Sequence, residues 1–260
     1  MYAEPFSHFL IATVERASRS DKYCAVGTAK RYLNTPLRNC PSLMMPKSRI
    51  ILALDVTQRA RAVDIVEKSH EYLDAVKINW PLVLGAGPRI ITEISGLSPV
   101  ICDFKIADIP NTNRLIVEQA MNLGASAVIA HGFTGTDSLK ACVDASGGKV
   151  FVVTEMSHPG GREFTQPNAE KIAAMAKEQG AMGIVAPATR PERIARMREI
   201  VGDLQIISPG VGAQGGKASG ALRFGADFVI VGRAIYEAPD PREAAENLSK
   251  EIAEFLKTKK

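Results

Sequence analysis

From residue 47 onward, short apolar runs rich in Val, Ile and Ala alternate with longer stretches of helical spacing. In the longer stretches apolar residues recur every three or four positions, as in Ala62, Ile65 and Val66. A period of about 3.6 indicates a helix, and a short apolar run with β-branched residues indicates a buried strand. The pattern therefore predicts eight strands, each followed by a helix. The predicted strands are residues 50–54, 75–78, 100–104, 127–130, 150–153, 183–186, 205–207 and 228–231.

Strands that alternate with helices are expected to pair in parallel, because parallel neighbours need a crossover connection. Runs that are apolar throughout are typical of strands buried on both faces. An open, doubly wound sheet is one fold that fits this pattern. The even spacing of eight units over residues 47–260, without a break, favours a closed (β/α)8 TIM barrel with an eight-stranded parallel sheet.

Residues 1–46 lack any sustained period of 3.6 or 2. We expect an N-terminal extension there that is disordered or not native, and a translation start at Met44 or Met45 is an alternative. The segment carries six Lys or Arg against three acidic residues, Glu4, Glu15 and Asp21. These acidic residues disfavour a transit peptide, and a secretory signal would need a longer apolar region.

The charge and cysteine content narrow the function further. The whole chain has a net charge of +4, of which the first 46 residues supply +3, so the predicted barrel has no basic block for nucleic acid. No apolar run approaches the length that spans a bilayer. The four cysteines form no C-x-x-C pair, which argues against a zinc finger and fits a reducing, cytoplasmic location.

Charged residues stand at the ends of three consecutive predicted strands: Asp55, Lys77, and the pair Asp103 and Lys105, with Asp108 in the next loop. In a TIM barrel, catalytic residues come from the carboxyl ends of the strands. Asp103 and Lys105 are two positions apart, so both face the barrel mouth if Phe104 packs outward. Buried charges must be paired, and acidic neighbours keep Lys105 in its ammonium form. The sequence therefore predicts a catalytic array.

A glycine loop follows the seventh predicted strand, in which Gly210, Gly212 and Gly215 spell G-x-G-x-x-G. As a dinucleotide motif this is weak, because it follows the seventh strand and the next strand ends in Gly232 and Arg233 instead of an acid. The loops after strands seven and eight of a barrel often bind phosphate. We expect the backbone N–H groups that the glycines expose, together with Arg233, to bind one phosphate monoester. The alternative is a simple turn beside a surface arginine.

The loop after the fifth predicted strand, residues 154–161, is polar and contains Gly and Pro, so it can fold over a ligand. Ser157 can donate or accept a hydrogen bond there. His131 ends the fourth strand and is more simply explained as a core residue. No cluster of His and carboxylates has the spacing of metal ligands, and neither a metal nor another cofactor is expected.

Recognisable motifs stand in six segments: residues 52–55, 76–78, 103–112, 155–160, 208–216 and 231–233. Together they resemble orotidine 5′-phosphate decarboxylase in its short archaeal form. The resemblance runs from about Arg49 to near the C-terminus. The Asp-x-Lys-x-x-Asp motif is shared with relatives such as hexulose-phosphate synthase, whereas its continuation and the glycine loop are more specific to the decarboxylase. Asn79-Trp80 departs from the expected small residue followed by Tyr, which puts local packing in doubt.

The resemblance implies a homodimer that binds orotidine 5′-monophosphate across the barrel mouth. It implies that Asp108 and Thr112 complete the site of the neighbouring subunit. The substrate-binding residues it implies are Asp55 and Lys77 at the ribose, Thr112 from the neighbour, Ser157 and Gln214 at the pyrimidine, Pro209, and Gln214, Gly232 and Arg233 at the phosphate.

The resemblance also implies the chemistry, with Lys105, Asp103, Asp108 and Lys77 as the catalytic residues. Lys105 would protonate carbon six of the pyrimidine after carbon dioxide leaves, to give uridine 5′-monophosphate. Three alternatives stay open: a related barrel enzyme that acts on a sugar phosphate with a divalent metal, a barrel that only binds a nucleotide or phosphate, and a basic N-terminal adaptor.

Overall fold

The computed structural model describes residues 46–212 and 214–258. Over these residues, eight parallel strands pair in chain order, and the last strand pairs with the first to close a barrel. The closed barrel confirms the predicted (β/α)8 fold. The strands are β1 (Ile50–Leu54), β2 (Ala75–Asn79), β3 (Val100–Ile106), β4 (Ala127–His131), β5 (Val150–Val153), β6 (Gly183–Val185), β7 (Gln205–Pro209) and β8 (Phe228–Val231).

At least one helix follows every strand in the described part of the chain. Two 3-10 turns, His70–Tyr72 and Gln166–Asn168, supplement the helices. The helices are α1 (Arg59–Ser69), α2 (Trp80–Ala86), α3 (Ile90–Ser95), α4 (Pro110–Asn122), α5 (Thr136–Ser146), α6 (Gly161–Phe164), α7 (Ala169–Glu178), α8 (Pro191–Val201), α9 (Ala218–Arg223), α10 (Arg233–Tyr236) and α11 (Pro241–Thr258).

Two apolar cores follow from the alternation of side chains along each strand. Ile50 faces outward, into the core that the strands share with the helices. Ile51 faces inward, into a second core that fills the barrel and includes Phe151. Gly183 on the neighbouring strand leaves room for that ring, since a Cβ there would lie 2.7 Å from it. Both faces of the strands are therefore buried, as the continuous apolar runs predicted.

The carboxyl ends of several strands are longer than the apolar pattern predicted. β2 continues to Asn79, which pairs in register with Asp103 of β3, and β3 itself continues to Ile106. β6 is shorter and ends at Val185. Asn79 and Asp103 continue the pairing of β2 with β3 although they lack the apolar signal. Their side chains are thereby fixed to rigid strands at the mouth of the barrel.

Two further expectations from the sequence concern the N-terminal extension and membrane-spanning helices. Residues 1–45 lie outside the described part, so the predicted N-terminal extension over residues 1–46 stays a prediction. Among the residues described, none of the helices is long and apolar enough to cross a membrane.

Candidate active site

A cavity of about 350 Å³ opens at the carboxyl ends of the barrel strands. This size is in the range of small-molecule sites. Its walls come from strands and loops at both ends of the chain, which the closed barrel brings together. Nine of the residues predicted from the sequence line it: Asp55, Lys77, Asp103, Lys105, Ser157, Pro209, Gln214, Gly232 and Arg233.

A row of alternating charges crosses one side of this cavity. Asp103 lies at its centre, with the Lys77 Nζ 2.9 Å from Oδ2 and the Lys105 Nζ 2.9 Å from both carboxylate oxygens. Lys77 also lies 3.9 Å from Asp55 Oδ1. The side chains of Lys77 and Asp103 are each 7% exposed, whereas that of Lys105 is 37% exposed. Lys105 is therefore the ammonium of this row that is most open to a bound molecule.

The charge of Asp103 is set by two opposing effects. Burial on its own would raise the pKa of Asp103, but the ammonium groups of Lys77 and Lys105 outweigh burial and hold that pKa below its usual range. Asp103 is therefore an anion at neutral pH. Apolar side chains of similar volume often stabilise a buried site as well as such a charged row does, so the row is better explained by the electrostatics of the cavity than by packing.

The backbone at Lys105 is strained. Its φ of 45° lies in the left-handed region, which residues other than glycine rarely adopt. The register between β3 and β4 shifts between Cys102 and Ile106. Phe104 nevertheless packs against the outer core while Lys105 lines the cavity, as the predicted alternation requires. Such a conformation costs about 1–3 kcal/mol and persists only where surrounding contacts hold it.

The glycine loop after β7 folds back on itself. Gly210 and Gly212 have φ of 99° and 77°, a conformation that favours glycine. The amide of Gly212 donates to the carbonyl of Gly216, and the amide of Gly216 donates to that of Gly210. These amides were expected to face a phosphate, but in this conformation they are satisfied within the loop. The donors that remain toward the cavity include the side chains of Gln214 and Arg233.

Asp108 and Thr112 do not line this cavity. Asp108 is exposed just before α4, and Thr112 is half-buried in the first turn of that helix. The Asp108 carboxylate accepts a hydrogen bond of 2.7 Å from the amide of Ile109. The structure therefore separates these two predicted residues from the other nine within one chain.

The chain matches one known protein family over most of its length. Residues 48–248 fit the family described as Orotidine 5'-phosphate decarboxylase / HUMPS. This chain belongs to that family. The predicted resemblance is confirmed, and every site residue predicted from the sequence lies within the matched range.

Curated relatives in the orotidine 5′-phosphate decarboxylase / HUMPS family match this chain over nearly their own full length. The Orotidine 5'-phosphate decarboxylase of Methanosarcina mazei is 59% identical over 214 residues, which cover 81% of this chain and 97% of the relative. That of Thermococcus kodakarensis is 52% identical over 215 residues, covering 82% of this chain and all of the relative. These archaeal relatives support the short archaeal form.

Solved structures of the family share the fold. Orotidine 5'-monophosphate decarboxylase from Methanocaldococcus jannaschii, complexed with the inhibitor BMP, is 48% identical with a TM-score of 0.75, covering 78% of this chain and 97% of that one. Orotidine 5'-phosphate decarboxylase from Pyrococcus horikoshii is 46% identical with a TM-score of 0.74, covering 78% and 99%.

Asn79, where this chain departs from the expected family pattern, belongs to the site. Its side-chain amide donates a 2.8 Å hydrogen bond to Asp55 Oδ1, and it lines the cavity beside Lys77. The departure therefore reaches the site and is more than a change in local packing. The sequence held one signal for this, because Asn79 follows Lys77 by two positions on β2 and so faces the same side.

A second feature that the sequence did not reveal holds the loop after β5. Glu155 is 1% exposed and lies between the guanidinium groups of Arg190, at 2.7 Å, and Arg193, at 3.0 Å. Arg190 also donates to the carbonyls of Met156 and Ser157. The base of the loop that carries Ser157 is thus fixed by a buried ion network that joins β5 to α8.

His131 lies near the charged row, at the end of β4. Burial, followed by the positive charge of Lys105, lowers its pKa to about 4, although Asp103 acts in the opposite direction. Its imidazole is therefore neutral at neutral pH.

Among the described residues, no group of three or more His, Cys, Asp or Glu side chains is arranged to hold a metal ion.

Proposed function

We propose that the protein decarboxylates orotidine 5′-monophosphate to uridine 5′-monophosphate, the last step of pyrimidine nucleotide synthesis. The observation that carries this proposal is the pairing of Lys105 with a buried, anionic Asp103 at the mouth of the cavity. Membership of the decarboxylase family supports it. A site for binding alone would not need a carboxylate facing an anionic ligand.

In this proposal the nucleotide lies across the mouth, with its phosphate at the loops after β7 and β8. Arg233 is exposed at the cavity wall, and its planar guanidinium can donate two hydrogen bonds to one phosphate in a bidentate manner. Gln214 and Gly232 lie beside it, and Pro209 forms part of the same wall. Ser157, at the base fixed by Glu155, and Gln214 contact the pyrimidine amide edge.

The ribose hydroxyls bind to Asp55 and Lys77, at the other end of the charged row. The hydrogen bond from Asn79 occupies one oxygen of the Asp55 carboxylate, which leaves the other free to accept from a hydroxyl. Lys77 is held by Asp103 at 2.9 Å and so presents its remaining donors in a fixed direction. This end of the site therefore orients the sugar, and with it the ring.

The chemistry is a heterolytic loss of carbon dioxide. The bond from carbon six to the carboxylate breaks, and its electron pair stays on carbon six as a carbanion. The Lys105 ammonium stabilises that charge as it develops and transfers a proton to carbon six, after which solvent returns a proton to Lys105. Asp103 repels the substrate carboxylate, and the repulsion ends as carbon dioxide leaves. Stabilisation that grows toward the transition state raises turnover.

The enzyme acts as a homodimer in this proposal, with Asp108 and Thr112 reaching the site of the neighbouring subunit. Their position outside the cavity of their own chain supports such an arrangement. Large apolar side chains are exposed directly after three consecutive strands, with Trp80 42%, Ile109 65% and Phe133 61% exposed. An apolar rim of this kind marks an interaction surface, and a second copy fits it by two-fold symmetry.

We place the enzyme in the cytoplasm. Cys102 and Cys142 are buried free thiols, and burial raises the pKa of Cys102 to about 12 and that of Cys142 to about 11. Free thiols are typical of a reducing compartment. Fractionation of the natural source with an antibody to this chain tests the location.

The full-length protein is assayed directly with orotidine 5′-monophosphate by following the loss of ring absorbance, with and without EDTA. We expect turnover that EDTA does not change. Lys105→Ala should lower kcat by at least about a hundredfold, since it removes the group that meets the developing charge. The control Asp64→Asn removes an exposed carboxylate on α1 and should leave kcat unchanged.

Near-normal turnover by Lys105→Ala would remove the mechanism. A wild-type protein that is inactive on the nucleotide would contradict the function. Activity on a sugar phosphate that EDTA abolishes would instead favour the metal-dependent barrel enzyme.

A further inference from the structure

Two buried polar side chains hold the backbone of the exposed Asp108. Asn113 is 1% exposed and Ser138 is 2% exposed. The Asp108 amide donates to Asn113 Oδ1 at 3.0 Å, and Asn113 Nδ2 donates to the Asp108 carbonyl at 3.0 Å. The Ser138 hydroxyl donates to the same carbonyl at 2.6 Å. The backbone amide and carbonyl of this surface residue are thus both hydrogen-bonded to buried side chains.

The two side chains also hold each other. Asn113 Nδ2 donates to the Ser138 hydroxyl at 2.7 Å, so one side chain from α4 and one from α5 form a single unit. Two bonds from one amide side chain fix the orientation of the backbone on both sides of Asp108. They therefore fix the direction in which its Cα–Cβ bond points, although the side chain itself is exposed.

Packing between the two helices does not require these polar groups. An apolar pair at the same positions would join α4 to α5 without the cost of burying an amide and a hydroxyl. A buried polar network adds rigidity and a single defined geometry instead. The residue that receives this geometry is Asp108, whose carboxylate has one oxygen bound to the Ile109 amide and another open to a partner.

We infer that Asn113 and Ser138 are positioning residues that hold the Asp108 carboxylate in place for the active site of the neighbouring subunit. The inference rests on the proposed function, in which Asp108 acts across the dimer. Catalytic groups must be held to within about 0.5 Å, by side chains that are themselves fixed. A residue on an exposed loop has that precision only if its backbone is clamped.

Asn113→Ala tests the inference through hybrid dimers. As a homodimer it should lose roughly 10- to 100-fold in kcat/KM, because a misplacement of about 1 Å has an effect of that order. It is then co-expressed with Lys105→Ala under a second affinity tag, and the hybrid is purified through both tags. One site of each hybrid combines an intact Lys105 with an Asp108 from a chain whose Asn113 is intact.

We expect this hybrid to recover about half of the wild-type kcat/KM, because one of its two symmetric sites is complete. A role of Asn113 in its own chain's site or stability would not be rescued by a partner that lacks Lys105. The reference hybrid, Asp108→Ala with Lys105→Ala, should recover the same fraction.

Ser138→Ala removes one hydrogen bond to Asp108 and should lose about fivefold in kcat/KM, with the same rescue in a hybrid with Lys105→Ala. Ser146→Ala, a buried serine on the same helix that bonds only to Val143 among the described residues, is the matched control and should lose nothing.

The outcomes separate the inference from the function on which it rests. If the reference hybrid recovers activity and the Asn113→Ala hybrid does not, the positioning role is overturned and the proposed function stands. If neither hybrid recovers, the action of Asp108 across the dimer is overturned together with the inference. If Asn113→Ala fails to fold, Ser138→Ala decides: a loss with rescue supports the inference, and an unchanged kcat/KM overturns it.

Discussion

The indole N–H of Trp80 donates a 3.1 Å hydrogen bond to the carbonyl oxygen of Phe104, and the two rings stack with centroids 4.3 Å apart. Phe104 directly precedes Lys105, the residue with the left-handed φ of 45°. Trp80 thus holds both the side chain and the carbonyl of the peptide that leads into the strained position. The Lys105 ammonium is held by Asp103, and the backbone that leads to Lys105 is held by Trp80, the first residue of α2.

Replacing Trp80 should therefore affect kcat more than KM. Trp80→Phe keeps a stacking ring and loses one neutral hydrogen bond, about 1 kcal/mol, so kcat should fall about fivefold. Trp80→Ala loses both contacts, and kcat should fall by roughly 10- to 100-fold as Lys105 moves. Steady-state kinetics on the nucleotide measure both effects.

Size-exclusion chromatography of the same variants separates this effect from a loss of the proposed dimer, because Trp80 is also part of the exposed apolar rim. If Trp80→Ala remained dimeric with wild-type kcat, Trp80 would have no part in holding Lys105.

Asp103 holds two ammonium groups, and its removal should affect both stability and catalysis. Asp103→Asn leaves Lys77, whose side chain is 7% exposed, with Asp55 at 3.9 Å as its one remaining counter-ion among the described residues. An uncompensated buried charge costs about 3–5 kcal/mol. We expect a loss near the lower end of that range in urea unfolding, with a fall in kcat of at least about a hundredfold.

Asp64→Asn is the matched control for that measurement, because Asp64 pairs with Lys68 on the exposed side of α1. It should change the free energy of unfolding by no more than about 0.5 kcal/mol. Equal effects of the two substitutions would show that burial of the Lys77–Asp103 pair is unimportant.

Glu155→Gln should destabilise the protein and weaken nucleotide binding together. The substitution keeps the size of the side chain but removes the negative charge between Arg190 and Arg193, of which Arg190 has a side chain only 8% exposed. The expected loss of unfolding free energy is about 3–5 kcal/mol. KM should rise, because Arg190 also holds the carbonyls at the base of the Ser157 loop.

Glu199→Gln, which removes an exposed partner of Arg196, is the control for Glu155→Gln and should stay within about 0.5 kcal/mol of wild type. A Glu155→Gln protein with wild-type KM would mean that the network stabilises the barrel without acting on the loop.

Local signals in the sequence predicted the barrel and the charged residues at its mouth, whereas cavity-wall residues such as Pro209 and Gln214 came from the family resemblance. Apolar runs gave the strands, and a closed parallel barrel brings all carboxyl ends to one mouth, so residues such as Asp55 and Arg233 had to meet. The bond between Asn79 and Asp55 was not predicted, because it depends on the register of two strands and on a side-chain rotamer.

Other features depend on long-range geometry that no local pattern encodes. Glu155 and Arg190 are 35 positions apart in the chain, and their meeting requires both the β5–β6 pairing and the direction of α8. The left-handed backbone at Lys105 arises within a strand whose sequence reads as regular. The amides of the glycine loop were expected to face a ligand, but those of Gly212, Gly215 and Gly216 are hydrogen-bonded within the loop, in turns that glycine permits.

His131 should make the folded protein less stable as the solution is acidified. Its pKa is lowered to about 4 in the folded state, by burial first and by Lys105 second, from an ordinary value of 6.5. Between these values the unfolded chain binds a proton that the folded chain does not, so the free energy of unfolding falls as pH falls from about 6.5 to about 4. After allowance for the partial exposure of His131, its share of that fall is roughly 1–2 kcal/mol.

His131→Gln removes the titration, and urea unfolding at a series of pH values should give a shallower decline of the free energy of unfolding than in wild type. Between pH 7 and 8 both proteins are neutral at this position, so the difference measured there isolates the change in packing. Parallel curves over the whole range would contradict a partly buried His131 that stays neutral in the folded protein.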